Sequence, residues 1–202
     1  MKNEQIKVTT KTNTLTQDIT NLKDANAQND NGNKYLDGTG VSQDDVEAVK
    51  WYRLAADQGL GSAQCNLGNM YKSGRAVPKD YVEAVKWYRL AADQGDNRAQ
   101  SNLARMYDIG KGVPQDSKKA VSWYGLAAEQ GNAKAQINLG FMYYFGRLVP
   151  QDYVEAYKWL SLAAAQGYAI AKTNKEMIEK KMTKPQIAVG QRLSSEWFNK
   201  HQ

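Results

Sequence analysis

Carboxylates recur in this chain with a regularity that invites chemistry. Asp44, Asp80, Asp116 and Asp152 stand 36 residues apart, and a row of acids is raw material for general acid–base catalysis or for a metal site. The other reactive residues complete neither. His201 is the only histidine and lies beside the C-terminal residue, which removes the usual base near neutral pH and the commonest metal ligand. Cys65 is the only cysteine, so no intrachain disulfide and no cysteine-rich metal site can form. Gly59-Leu60-Gly61-Ser62 and Gly110-Lys111-Gly112 look like pieces of phosphate loops, yet neither completes a dinucleotide fingerprint or a P-loop and neither follows a strand. No catalytic, cofactor-binding or metal-binding residue is assigned.

The aspartates belong to a larger periodicity. Trp51, Trp87, Trp123 and Trp159 repeat at the same 36-residue interval, as do Tyr35, Tyr71, Tyr107 and Tyr143, Gly38, Gly74, Gly110 and Gly146, and Gly59, Gly95, Gly131 and Gly167. Five columns in one phase, without an insertion, require a structural unit stacked on copies of itself. Within the unit, Ala99, Leu103, Met106 and Tyr107 line one face of a helix that stops at Gly110. A second helix carries Ala120, Trp123, Tyr124, Ala127 and Ala128 and stops at Gly131. These are helices A and B. The aspartates fall at the start of helix B, where a carboxylate caps orphan backbone N–H groups. Glu47, Glu83 and Glu155 three residues later have capping-box spacing, and Lys119 takes that place in the third unit. The tryptophans, in fixed phase on a packed helix, read as core and not as a ligand-stacking ladder.

Ala63, Leu67, Gly68, Tyr71, Gly74, Asp80, Ala84, Trp87, Tyr88, Ala91, Ala92 and Gly95 form a pattern that resembles the Sel-one-like repeat, within the tetratricopeptide-like superfamily. The resemblance implies an all-α fold, a right-handed alpha-alpha superhelix of 36-residue helix-turn-helix repeats with a C-terminal capping helix pair. It also implies a bacterial protein-binding adaptor or scaffold, with the partner on a concave helix A surface. Two narrower roles known among such proteins are an immunity protein neutralising a secreted lipase-type toxin, and β-lactam hydrolysis in cysteine-rich relatives. A single cysteine and a terminal histidine argue against the second, and the chain is read as not an enzyme.

The expected organisation is a polar N-terminal segment over 1–30, four repeats over 31–171 with the first degenerate, and capping helices over 172–202. Leu15, Ile19 and Leu22 could make a short amphipathic helix in the first segment. Asn31 and Lys34 replace the Leu and Met columns, which predicts a frayed or capping first A helix. After Ala171 the phase is lost, since Lys175 and Glu179 stand where Leu and Tyr should be. Thr183-Lys184-Pro185-Gln186 then reads as a capping box opening a last helix.

Composition narrows the partners. A mean hydropathy of −0.70 and a 42% apolar share suit a thin core, not a large globule. No run approaches the roughly 18 apolar residues that span a bilayer, so the chain as given reads as soluble and cytoplasmic, or periplasmic or secreted if a signal peptide was trimmed. Four units of the net charge of +6 lie from Lys172 onward, but Lys180, Lys181 and Lys184 fit a solvated face better than a nucleic-acid site. The expected partner is a protein or peptide, with no small-molecule cofactor.

Residues that hold the fold are locked in phase, and those that meet a partner vary. By tetratricopeptide geometry the exposed helix A positions are Ser62, Cys65, Asn69, Lys72 and Ser73, then Arg98, Ser101, Arg105, Asp108 and Ile109, then Lys134, Ile137, Phe141, Tyr144 and Phe145. The candidate binding groove runs from Arg98 and Arg105 to Phe141, Tyr144 and Phe145, because aromatic residues beside arginines make interface hot spots. The alternative is that the three aromatic residues pack beneath the C-terminal cap.

Overall fold

The structure, a computed structural model, describes residues 24–201; the amphipathic stretch at Leu15, Ile19 and Leu22 lies outside them. The described residues contain ten helices and no strand. They are α1 (Ala25–Asp37), α2 (Asp45–Asp57), α3 (Gly61–Ser73), α4 (Tyr81–Asp93), α5 (Asn97–Ile109), α6 (Ser117–Glu129), α7 (Ala133–Phe145), α8 (Tyr153–Ala165), α9 (Ala169–Glu179) and α10 (Lys184–Lys200). The fold is an all-α solenoid of A and B helices in alternation. The described residues fall into two compact units, divided between Gln94 and Gly95.

In the first unit α1 and α2 form one A–B pair and α3 and α4 the next. Each A helix ends on a left-handed glycine, Gly38 at φ 71° and Gly74 at φ 72°, a conformation in which a Cβ is costly. Each B helix begins on a capping aspartate: Asp44 Oδ1 accepts from the N–H groups of Val46 and Glu47 at 2.9 and 3.0 Å, and Asp80 does the same for Val82 and Glu83 at 2.8 and 3.0 Å. The glutamates do not complete a capping box. The N–H of Asp44 and of Asp80 is already taken by the carbonyl of Tyr35 or Tyr71, at 2.9 and 3.0 Å, so Glu47 and Glu83 turn outward to Lys50 and Lys86 at 2.9 and 2.7 Å.

The first A helix is neither frayed nor shortened. It starts at Ala25, capped by Asp24, and has 13 residues, as α3, α5 and α7 do. Polar and small residues do the work expected of apolar ones. Gly32 lets the ring of Tyr52 approach so closely that a Cβ there would lie 2.6 Å from it. The Tyr52 hydroxyl donates to Asn33 at 2.8 Å, and buried Gln28 accepts from Gln58 at 2.7 Å.

That glutamine pair repeats. Gln94 at the end of α4 donates to buried Gln64 on α3 at 2.8 Å, and Gln64 donates in turn to the carbonyl of Ala56 at the end of α2, at 3.2 Å. One side chain thus ties an A helix to the B helix before it and the B helix after it. In the second unit Gln130 donates to Gln100 at 2.8 Å, Gln166 to Gln136 at 2.9 Å, and Gln136 to the Ala128 carbonyl at 3.1 Å.

The second unit holds pairs α5–α6 and α7–α8, then α9 and α10. Asp152 caps as before, Asp116 accepts from the Lys119 N–H at 3.0 Å, and their own N–H groups again go to Tyr143 and Tyr107, each at 3.0 Å. Asp116 is held below the usual carboxylate range first by the Lys119 N–H and then by the Lys119 ammonium. Trp159 is buried at 4% exposure, and Trp123 packs half-buried on the same core as Ala104, Tyr124 and Leu162. Trp51, Trp87 and Trp159 bury their indole nitrogens with no partner among the described residues, so they serve as packed rings rather than as donors.

The end of the stack has its own geometry. In α9, Ala171 keeps the buried alanine column, but exposed Lys172 stands in the glutamine column and exposed Glu176 in the column of Gly68 and Gly140. Instead of packing on α9 as a B helix, α10 folds back along α8. Gly190 lies against the ring of Tyr157, and Trp197 donates to Glu129 at 3.0 Å. Leu162 is thereby wholly buried, whereas Leu126 in the same column is half exposed. Thr183 and Gln186 form the expected capping box, with proline in the first turn.

Two measurements check this account. Gln136→Ala is expected to cost about 1–3 kcal/mol in urea denaturation, because it removes the buried hydrogen bonds to the Ala128 carbonyl and from the Gln166 amide, which keeps only the Gly131 carbonyl. Lys119→Glu, which restores the capping-box sequence, is expected to gain nothing beyond about 0.5 kcal/mol, since Tyr107 already satisfies the N–H that the glutamate would need.

Candidate functional site

The candidate residues all lie in the second unit. Helices α5 and α7 are joined at both ends. Asn132 donates to the carbonyl and side-chain oxygen of Asn97 at 3.2 Å each, and Arg147 pairs with Asp108 at 2.7 Å. Arg105 and Phe141 occupy one column, as do Asp108 and Tyr144, and Ile109 and Phe145. Arg98 and Arg105 are both exposed, Arg98 beside Asp96 at 3.2 Å.

The three aromatic residues divide. Phe145 is 68% exposed, the most open large apolar side chain among the described residues. Phe141 and Tyr144 are half-buried and pack on a cluster of Ile137, Tyr157, Leu160 and Ile178, joined by Met182 and Ile187 of the terminal region. Tyr144 meets Phe145 edge-on at 4.7 Å and Tyr153 at 5.9 Å, and the ammonium of Lys181 lies 5.1 Å from its ring centre. A hydrogen bond with the Tyr144 hydroxyl raises the pKa of Lys181.

Three of the expected exposed positions are buried: Cys65 at 0%, Ser101 at 8% and Ile137 at 9% exposure. Helix α3 is flanked by α2 and α4, and α7 by α6 and α8, so the buried arc is wider than one stripe; in α3 it takes in Ala63, Gln64, Cys65, Leu67, Gly68 and Met70. The partner-facing stripe is correspondingly narrower.

A second column explains Phe141. Tyr88 donates to Asn69 at 2.7 Å as Tyr52 does to Asn33, and burial pushes the Tyr88 phenol up. In the third repeat Arg105 replaces the asparagine and opposes the upward push of burial on the Tyr124 phenol. In the fourth, Phe141 replaces asparagine and Leu160 replaces tyrosine together, an exchange of a polar pair for an apolar one. The joint departure was visible in the sequence and marks Phe141 as part of the packing.

The first unit carries a cleft of about 270 Å³ on its A-helix side, lined by Tyr52, Asn66, Asn69, Lys72 and Arg75 among others. Arg75 is engaged there by Asp45 and by the Leu36 carbonyl. His201, at the far end of α10, stacks on Trp197 at 4.1 Å and bonds to its carbonyl at 2.7 Å. No helix among the described residues is long and apolar enough to cross a membrane.

The Sel1 repeat model matches residues 25–60, 61–96, 97–132 and 133–168, and each match is one A–B pair. The chain belongs to the Sel1 repeat family. Sel1 repeats are generally protein-interaction modules and typically non-catalytic scaffolds. A Sel1 repeat protein from Oxalobacter formigenes is 37% identical with a TM-score of 0.68, covering 76% of this chain and 63% of that one. The antigen c5321, a protective antigen of uropathogenic Escherichia coli with an SLR fold, is 29% identical with a TM-score of 0.60, over 89% of this chain and 46% of that one. The chain thus spans less than two thirds of either protein. The immunity protein Pa5087 of Pseudomonas aeruginosa, 21% identical with a TM-score of 0.55 over 88% of this chain and 67% of that one, shares the fold. No curated protein matches the chain.

The division of the aromatic residues has a direct readout. Phe141→Ala is expected to lower stability by about 1–3 kcal/mol, since it opens the cluster around Leu160, while Phe145→Ala shifts the thermal midpoint by no more than an ordinary surface substitution.

Proposed function

We propose that this Sel1 repeat chain is a non-catalytic protein-binding module whose second unit takes its partner on the A-helix face. Arg98, Arg105 and Phe145 make the contacts, and Phe141 and Tyr144 hold the platform on which Phe145 stands. The observation that carries this reading is the exposure of Phe145, 68%, in the same column as Ile109, itself 41% exposed. Two large apolar side chains in register on neighbouring helices give a monomer nothing, and they are the kind of surface that an interface buries. The packing of Phe141 and Tyr144 supports the reading, because an anchor works best on a rigid base.

A narrower form makes the partner a secreted toxin, with this chain as its immunity protein. Its support is the likeness to Pa5087, which at 21% identity concerns the fold.

Affinity capture from the native cell, followed by rebinding of the purified partner, tests the general reading. Phe145→Ala and Arg105→Ala are expected to weaken the partner by about tenfold or more with unchanged melting, while Leu126→Ser on the B-helix side binds as the parent does. Equal binding by all four proteins would sink the reading. A tight enzyme toxin as the recovered partner would favour the narrower form.

A further inference from the structure

The A-helix face of the second unit continues past the aromatic residues onto α9. Ile170 falls in the column of Arg98 and Lys134, Met177 in that of Arg105 and Phe141, Lys180 in that of Tyr144, and Lys181 in that of Phe145. Ile170 is 54% exposed and Met177 44%. The strip therefore spans three successive A helices, with apolar side chains at Ile109, Phe145, Ile170 and Met177.

Its charge is one-sided. Helix α7 contains no acidic residue. The two carboxylates by α5 are occupied, Asp96 by Arg98 and Asp108 by Arg147. On α9, Glu179 pairs with Lys175, and Glu176 is exposed in the glycine column that faces an own-repeat B helix elsewhere. The side chains of Arg105, Lys134 and Lys180 are exposed and make no hydrogen bond or ion pair among the described residues. Lys181 is held over Tyr144 and adds its charge beside Phe145.

Resting on the proposed partner face, we infer that its occupant is an acidic polypeptide segment with interspersed large apolar side chains. Uncompensated like charges around an apolar strip repel one another, and the repulsion is relieved when carboxylates arrive. The apolar members decide against nucleic acid, which offers phosphates to the cations but nothing to cover Ile109, Ile170 and Met177. They decide against a bilayer as well, because Phe141 and Tyr144 are tied into the cap cluster and Phe145 alone among the rings projects.

The test uses the full chain and three synthetic peptides of one apolar pattern, with Glu, Gln or Lys at every intervening position, titrated by fluorescence anisotropy. The Glu peptide is expected to bind about tenfold or more tightly than the Gln peptide, with an advantage that shrinks as salt rises. Arg105→Glu with Lys134→Glu is expected to turn the preference toward the Lys peptide, and Phe145→Ala to weaken every peptide that binds. Both charge positions are exposed, and circular dichroism confirms that the variant is folded; Arg105→Gln, which is expected to lose part of the Glu advantage, serves as the milder variant. Equal binding of the Glu and Gln peptides, lost in Phe145→Ala, would overturn the acidic occupant and leave the face as a binding site. Tighter binding to duplex DNA or to phosphatidylglycerol vesicles than to the Glu peptide would also overturn it. Absence of binding by all three peptides, with Phe145→Ala indifferent toward the captured partner, would overturn both readings.

Discussion

A buried glutamine is an expensive residue to place, because its amide has two donors and two lone pairs and each one left without a partner costs free energy. Gln64 and Gln136 are nonetheless almost wholly buried, at 4% and 0% exposure. Each is satisfied only if the B helix before it ends at the correct carbonyl and the B helix after it ends at the correct glutamine. Three helix ends must meet at one side chain. An insertion in either connecting loop would strand the amide, which is a physical reason for a period held without slippage over four repeats. Apolar contacts tolerate sliding and give no such register; a hydrogen-bonded carboxamide does not tolerate it.

The same logic orders what could be read in advance. Trp, Tyr, Gly and Asp columns announced the A and B helices because their chemistry is conspicuous: caps, turns and large rings. The columns Gln28, Gln64, Gln100, Gln136 and Gln58, Gln94, Gln130, Gln166 are just as regular, yet a polar residue on a helix reads by default as a solvated one. That default also hid the first A helix, whose burial rests on Gln28 and Gly32 instead of Leu and Met. The capping boxes failed for a different reason. Spacing shows that Glu can reach the N-cap N–H, but not that a tyrosine carbonyl from the preceding helix has already claimed it.

At the candidate site, phase was a sound guide to which residues vary and a poor one to how deeply they lie. A column can depart from the repeat because it meets a partner or because its neighbour within the repeat departs too. Phe141 departs with Leu160, and Ile137 joins the same cluster. Phe145 departs with nothing packed over it. Pairing departures across the A–B contact separates the two cases, and it needs only the register that the glutamines impose.

The C-terminal region links the two questions of where the stack stops and where it binds. A fifth repeat would need a small residue at position 176 and an amide at 172; Glu176 and Lys172 offer charges instead, and desolvating them against an incoming B helix would cost more than the contact returns. With that side closed, α10 is free to fold back on α8, where Gly190 admits the Tyr157 ring and Leu162 is covered. This leaves the A-helix side of α9 open and places Lys181, in the turn that follows α9, over Tyr144, so the segment that ends the solenoid also lends the aromatic platform a positive charge. Termination and recognition are then one arrangement, in which the charges that forbid another repeat on one face of α9 leave its other face available to a partner.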